Sequence, residues 1–337
     1  MGKEIATEIL PYIRVYKDGS VERLADSPIV PPCADDPETG VSSKDIVISQ
    51  DPPISARIYI PKQVRQHYRH PKVPILVYFH GGAFCSESAF SFVETKFMNR
   101  LASLANVVIV SIEYRLAPEH PLPICYHDCW AGLQWVISHS DEEHWVSTYA
   151  DFDRVYIGGD SAGANIAHSV LIRAGSKGFR NGVKIKGAFL THPYFWGSEP
   201  IGYESKYVEN REEVVMSTVW HLVYPEAAGG VDNPMLNPVA PGAPNLAGMG
   251  CSRLLVSVAE KDWVRDRGIL YHNAVKESGW QGESELVDVE GEDHSFHILL
   301  HKSENAKKFI KRLASFLVPC EEDEKNSIQV RSCASRI

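Results

Sequence analysis

From residue 73 onward, nearly unbroken apolar runs alternate with stretches in which apolar positions recur every three or four residues. The runs are 73–79, 107–112, 154–158, 184–190, 253–258 and 283–289. Strands covered on both faces carry such runs, because neither side of the pleat meets water. The intervening periodic stretches, near 89–103, 126–139, 162–174, 267–278 and 304–317, predict helices. Strand and helix in strict alternation predict an α/β fold, a mostly parallel central sheet wound by right-handed crossovers and flanked by helices.

The pattern differs at three places. Near the N-terminus, 13–16 and 21–24 are short alternating runs around Asp18-Gly19, which predicts a hairpin. Residues 25–45, rich in Pro, Asp and Ser, read as an irregular connection, 54–61 as an early half-exposed strand, and 62–72 as a polar surface loop. Between 191 and 250 the alternation breaks into an aromatic, Pro- and Gly-rich insertion. Residues 1–318 therefore read as one domain, with 1–50 as an arm or lid and 191–250 as a lid or pocket wall. The charged tail 319–337 reads as disordered.

Composition narrows the class. The 337 residues are 44% hydrophobic and 23% charged, which is ordinary for a globular chain. The net charge of −9 argues against nucleic acid or an anionic membrane as main partner, and no apolar run is long enough to span a bilayer. The N-terminus carries acids and no apolar leader, and the seven cysteines form no regular pattern. Both features fit a reducing, cytoplasmic setting. Cys125 and Cys129 stand near His127 and Asp128 without a second ligand pair, so they read as buried helix cysteines rather than a metal site. No cofactor motif is present, no metal or cofactor is expected, and the oligomeric state is not legible in the sequence.

The chemistry concentrates in a few short segments. Gly159-Asp160-Ser161-Ala162-Gly163 follows one apolar run and opens a helical stretch. Strand, G-x-S-x-G and helix make a nucleophile elbow, a turn tight enough to force small flanking residues and to expose the serine Oγ. Acyl transfer by Ser161 needs a base and an orienting acid. Asp262 follows the 253–258 run and His294 follows the 283–289 run, in the order Ser, acid, His. Among competing acids, Asp266 reads as an N-cap for a helix starting near Arg267; Asp293 stands too close to His294 to orient it, and Asp288 remains a competitor. His297 and His301 lie further from the strand end and read as packing or surface groups. An oxyanion hole needs backbone N–H groups. His80-Gly81-Gly82-Ala83-Phe84 follows the 73–79 run, which suggests the N–H groups of Gly81, Gly82 and Ala162. Ala83, Phe84, Phe195, Trp196, Trp220 and Trp263 are the expected pocket residues.

These segments, with Tyr114-Arg115-Leu116-Ala117-Pro118-Glu119-His120-Pro121, resemble the hormone-sensitive-lipase-type branch of the α/β-hydrolases, and within it the plant carboxylesterases. The openings at 11–19 and 36–45 are similar to the subgroup holding the legume 2-hydroxyisoflavanone dehydratases and cyclase-like enzymes of indole alkaloid pathways. The resemblance implies an α/β-hydrolase fold and a small-molecule ester or hydroxyketone substrate. Two positions point in opposite directions. Esterases of this branch usually have a third glycine where this chain has Ala83, as the dehydratases do. The dehydratases tend to carry threonine where this chain has Ser161, as hydrolases do. Ester hydrolysis is the leading expectation, because the nucleophile bears directly on covalent chemistry. A carbon–oxygen lyase or cyclase on the same site is the alternative. A non-catalytic hormone receptor is the minor one, since the receptors of this fold lack the histidine that His294 supplies.

Overall fold

A computed structural model describes residues 3–66, 71–138, 142–179, 181–204 and 211–318. Among these, eleven strands form two sheets. A small antiparallel sheet holds β1 (Ile5–Ile9), β2 (Ile13–Tyr16) and β3 (Val21–Arg23). The large sheet holds β4 (Ser42–Gln50), β5 (Pro53–Ile60), β6 (Val73–Phe79), β7 (Val108–Glu113), β8 (Ala150–Asp160), β9 (Ile185–Thr191), β10 (Arg253–Ala259) and β11 (Glu283–Val289). Its order is β11-β10-β9-β8-β6-β7-β5-β4; β6 to β11 run parallel where they pair, and β4 and β5 join antiparallel at one edge. The helices are α1 (Lys62–Gln66), α2 (Phe92–Ala105), α3 (Ile124–Ser138), α4 (His144–Tyr149), α5 (Ala162–Lys177), α6 (Arg211–Val223), α7 (Arg265–Glu277), α8 (Phe296–Leu299) and α9 (Glu304–Leu317).

The two-sided burial explains the unbroken runs. Along β6, Ile75, Val77 and Phe79 enter one core with residues of α3 and α5, while Leu76 and Tyr78 enter the other with residues of α2 and α9. Helix α9 shows the complementary logic. Phe309, Ile310, Leu313, Phe316 and Leu317 bury one face, and the Ser303 side chain caps the start by accepting from Ala306 N at 3.1 Å. Truncating Leu313 to alanine in such a core costs about 2–5 kcal/mol.

Several expectations need correction. The half-exposed strand near 54–61 is a mostly buried β5, because Ala56, Ile58 and Ile60 enter one core and Tyr59 the other, while β4 and β7 pair with its two edges. Strand β4 itself begins inside the segment read as irregular. Its Ile46 and Ile48 pack partly against the core while Val47 is exposed, the alternation of an edge strand. The polar loop after residue 61 holds the short helix α1. The hairpin of β2 and β3 is present, extended by β1. The insertion after β9 contains α6, with 205–210 outside the described residues, as is the tail 319–337. Cys125 and Cys129 are fully buried in α3. No helix among the described residues is long and apolar enough to cross a membrane.

Candidate active site

Ser161 sits between the end of β8 and the start of α5 with φ 51° and ψ −117°. A non-glycine residue with positive φ costs roughly 1–3 kcal/mol, so the surroundings must hold it. They do so through close backbone approach. A Cβ on Gly159 would lie 2.3 Å from the Gly163 carbonyl carbon, and one on Gly163 would lie 2.0 Å from the Phe79 oxygen. Only glycine fits at either place, which explains the G-x-S-x-G spacing. Ser161 N donates to Thr191 O at 2.9 Å, tying the turn to β9.

Asp262 and His294 come from the loops after β10 and β11 and meet Ser161. His294 Nε2 is 2.9 Å from Ser161 Oγ, and His294 Nδ1 is 2.9 Å from Asp262 Oδ2. With the proton on Nδ1 donated to the carboxylate, Nε2 is free to accept from the serine hydroxyl. Burial opposes charge on Asp262. The charge and hydrogen bond of His294 and a hydrogen bond from His192 outweigh it and hold the carboxyl well below its ordinary value. Burial likewise opposes charge on His294, but the Asp262 charge and hydrogen bond prevail and raise its pKa above 6.5.

His192 was not legible as a site residue. It follows β9 with φ 49°, is fully buried, and places Nδ1 at 2.9 Å from the same Asp262 oxygen that His294 uses. Val264 N donates to the other oxygen at 3.1 Å. Asp262 thus accepts from three donors. His192 stacks on His297, with centroids 5.5 Å apart and planes 14° apart, so His297 is a buried packing group. Asn165 was also missed. From the first turn of α5 its amide donates to Tyr194 O (2.9 Å) and Met235 O (2.7 Å), and it accepts from Tyr126 OH (2.8 Å). These bonds tie the insertion to the helix that follows Ser161.

The competing acids take other partners. Asp266 lies inside the first turn of α7, whose N-cap is Val264, rather than capping it. Its carboxylate accepts from Tyr203 N and pairs with Arg265. Asp288 also pairs with Arg265, and Asp293 accepts from the His294 backbone N–H.

The loop after β6 is braced from behind. His80 stacks on Tyr114 at 4.1 Å, and Tyr114 OH donates to His80 O at 2.8 Å. Burial pushes the His80 pKa down to about 4, so its ring is neutral. Gly82, Ala83 and Phe84 then run in succession at φ 96°, 53° and 63°. Gly82 and Ala83 line the cavity beside Ser161; Gly81 does not. A Cβ on Gly81 would come within 2.3 Å of the Asp160 carboxylate, so that glycine serves close packing. Of the loop residues, Gly82 and Ala83 are thus the ones on the cavity surface. Ala83 occupies a left-handed position that glycine would fill without strain.

The cavity has a volume of about 1130 Å³. The N-terminal arm contributes Pro11 and Tyr12, and the insertion contributes Tyr194, Trp196 and Met216. Trp196, Trp263 and Ala83 line it as expected. Phe84, Phe195 and Trp220 do not: they are buried behind the wall, Phe84 edge-on to Tyr194 and Trp220, and Phe195 against Tyr271. Ala162 is also buried, at the first position of α5, where an N–H has no intrahelical acceptor.

Comparison with known proteins agrees with this arrangement. A family profile described as the alpha/beta hydrolase fold matches residues 76–298. The chain is 55% identical to a 2-hydroxyisoflavanone dehydratase of Glycyrrhiza echinata, over 94% of this chain and 97% of that protein. It is 43% identical to probable carboxylesterase 2 of Arabidopsis thaliana, over 94% and 97%. Among solved structures, an esterase of Pyrobaculum calidifontis superposes with a TM-score of 0.66 at 27% identity, covering 82% of this chain and 84% of that one. With its profile match, its curated relatives and its eight-stranded sheet, the chain belongs to the α/β-hydrolase family.

Proposed function

We propose that the protein is a serine carboxylesterase acting on small-molecule carboxylic esters. The observation that carries this reading is the continuous Ser161–His294–Asp262 hydrogen-bond chain, 2.9 Å at each link. His294 takes the Ser161 proton as Oγ attacks the ester carbonyl. The N–H groups of Gly82, Ala83 and Ala162 hold the oxyanion, each such donor contributing about 2.7–4 kcal/mol in related sites. His294 then protonates the leaving alcohol, and water releases the acyl group from Ser161. The Asp262 carboxylate keeps His294 in the required tautomer and stabilises its charged form. The test is hydrolysis of p-nitrophenyl acetate by the wild type and by Ser161→Ala and His294→Ala. Loss of turnover in both variants supports the reading, and wild-type rates in both overturn it.

A second reading, a carbon–oxygen lyase acting on a hydroxyketone, is favoured by Ala83 and by the 55% identity to a protein named for dehydration. In it His294 removes a proton α to a ketone, the same N–H groups hold the enolate, and the enolate re-forms the ketone as the β C–O bond breaks and His294 returns the proton to the departing hydroxyl, which leaves as water. Formation of an isoflavone from a 2-hydroxyisoflavanone, retained in Ser161→Ala, distinguishes it from ester hydrolysis.

A further inference from the structure

Glu94 is the third residue of α2 and is 2% exposed. Its pattern, Ser91-Phe92-Val93-Glu94, is that of a capping box, in which serine and glutamate would satisfy each other's backbone N–H groups. The box does not form. The Ser91 side chain makes no capping bond, and Ser91 N donates to Ser88 O at 3.0 Å instead. Glu94 Oε2 is buried without any hydrogen-bond partner. No cation pairs with it among the described residues.

Glu94 nevertheless lines the Ser161 cavity, together with Asp160 and the apolar Val93, Phe296 and Ile298. Asp160 is provided for: Tyr78 OH donates to it at 2.6 Å, and Ser295 Oγ lies 3.5 Å away. Burial first, and then the neighbouring Asp160 charge, push the Glu94 carboxyl well above its ordinary value. A protonated carboxyl offers one O–H donor and keeps acceptor capacity. A buried polar group left unsatisfied has lost its bonds to water without replacement, and a ligand oxygen placed against it would restore one.

We propose that the unpartnered Glu94 carboxyl binds a neutral hydroxyl group of the ligand, carried on an otherwise apolar ring framework. This rests on the reading that the Ser161 cavity takes the substrate. Such a group favours neutral oxygenated ligands over their deoxygenated counterparts and over carboxylate anions, which a second negative charge near Asp160 would repel. The apolar Val93, Phe296 and Ile298 on the cavity wall with Glu94, and a volume of about 1130 Å³, leave room for several fused or linked rings.

The test is calorimetric titration of the full chain, in a Ser161→Ala background, with flavanone and with 4′,7-dihydroxyflavanone. The dihydroxy ligand is expected to bind at least about tenfold more tightly, on the order of one good hydrogen bond. Glu94→Gln, which keeps a donor and an acceptor, retains the ratio. Glu94→Leu brings it to within about twofold of unity, and Glu94→Ala serves should the leucine variant not fold. Equal affinity of the two ligands for the parent protein, no binding of either, or an unchanged ratio in the apolar variants overturns the proposal. Because the measurement is binding without turnover, a failed esterase assay leaves this result standing, and a failed titration leaves the triad reading standing.

Discussion

Asp262 and Glu94 are both buried beside the Ser161 cavity, 4% and 2% exposed. Their surroundings differ in donors. Asp262 accepts from His192, His294 and Val264 N, whereas Glu94 has no hydrogen-bond partner and a neighbouring carboxyl in Asp160. One carboxyl is therefore shifted toward its ionised form and the other toward its neutral form, in the same cavity and at similar depth. Burial alone does not decide the state of an acid; the count of donors and the sign of the nearest charge do. Divergent environments of this kind are how one site obtains both a fixed anion and a neutral donor.

The largest effect that tests this contrast is Asp262→Asn. The amide cannot hold His294 in the required tautomer, and kcat for p-nitrophenyl acetate should fall by about 10⁴-fold, as in related triads. A fall of less than tenfold would remove Asp262 from its role. His192 comes next. Replacing it with alanine removes one donor from Asp262 without touching the nucleophile. A loss of roughly 10–100-fold in kcat, with KM little changed, is expected from a misplaced acid. The pH profile supplies a readout that simple destabilisation would not move. The His294 pKa is raised, so kcat/KM in the wild type should climb as pH rises through a value above 6.5. In His192→Ala, Asp262 pulls harder on its remaining partner, and this limb should move to higher pH. A limb that moves down or stays in place would assign His192 to packing alone.

Stability should separate the two acids with opposite signs. Asp262→Ala leaves donors from His192 and Val264 unpaired and should destabilise the fold by about 1–3 kcal/mol per orphaned group. Glu94→Leu replaces an unsatisfied acid with an apolar group and should stabilise it by about 1 kcal/mol. Denaturant midpoints for the two variants measure this directly, and a shift in the same direction for both would break the comparison. The smallest effect is the pH dependence of that stability. Glu94 holds its proton to higher pH in the folded chain than in the unfolded one, where it is lost near 4.5. Its contribution is full below 4.5 and declines as pH rises toward the folded value, with a slope of up to about 1.4 kcal/mol per unit. Glu94→Leu should flatten that decline above pH 4.5.

Legibility varied with how local each cause was. The runs at 73–79, 253–258 and 283–289 coincide with β6, β10 and β11 within a residue, since two-sided burial leaves an unmistakable apolar record. Strand β4 was hidden because an edge strand need bury only one side, and Ser42-Ser43-Lys44-Asp45 reads as a loop. Ser161, Asp262 and His294 were legible from their order behind successive strands. His192 was not, because Thr191-His192-Pro193 carries no motif and its bond to Asp262 joins positions 70 residues apart. Which of Gly81, Gly82 and Ala83 lines the cavity was not legible, because it depends on how the loop turns against His80 and Tyr114.

The sequence by itself determined the alternation of elements, the glycines that permit the turn at Ser161, and the chain order of Ser161, Asp262 and His294 behind successive strands. Each of these is written in residues close together, as burial periodicity or as the steric demand of one turn. Only the tertiary structure decided that two histidines share Asp262, that Phe84, Phe195 and Trp220 stand behind the cavity wall, and that Glu94 faces it without a partner. The reason is that hydrogen-bond satisfaction and electrostatic state belong to the set of groups a side chain meets in space. Strands β6, β8, β9, β10 and β11 had to be laid side by side before those groups could meet.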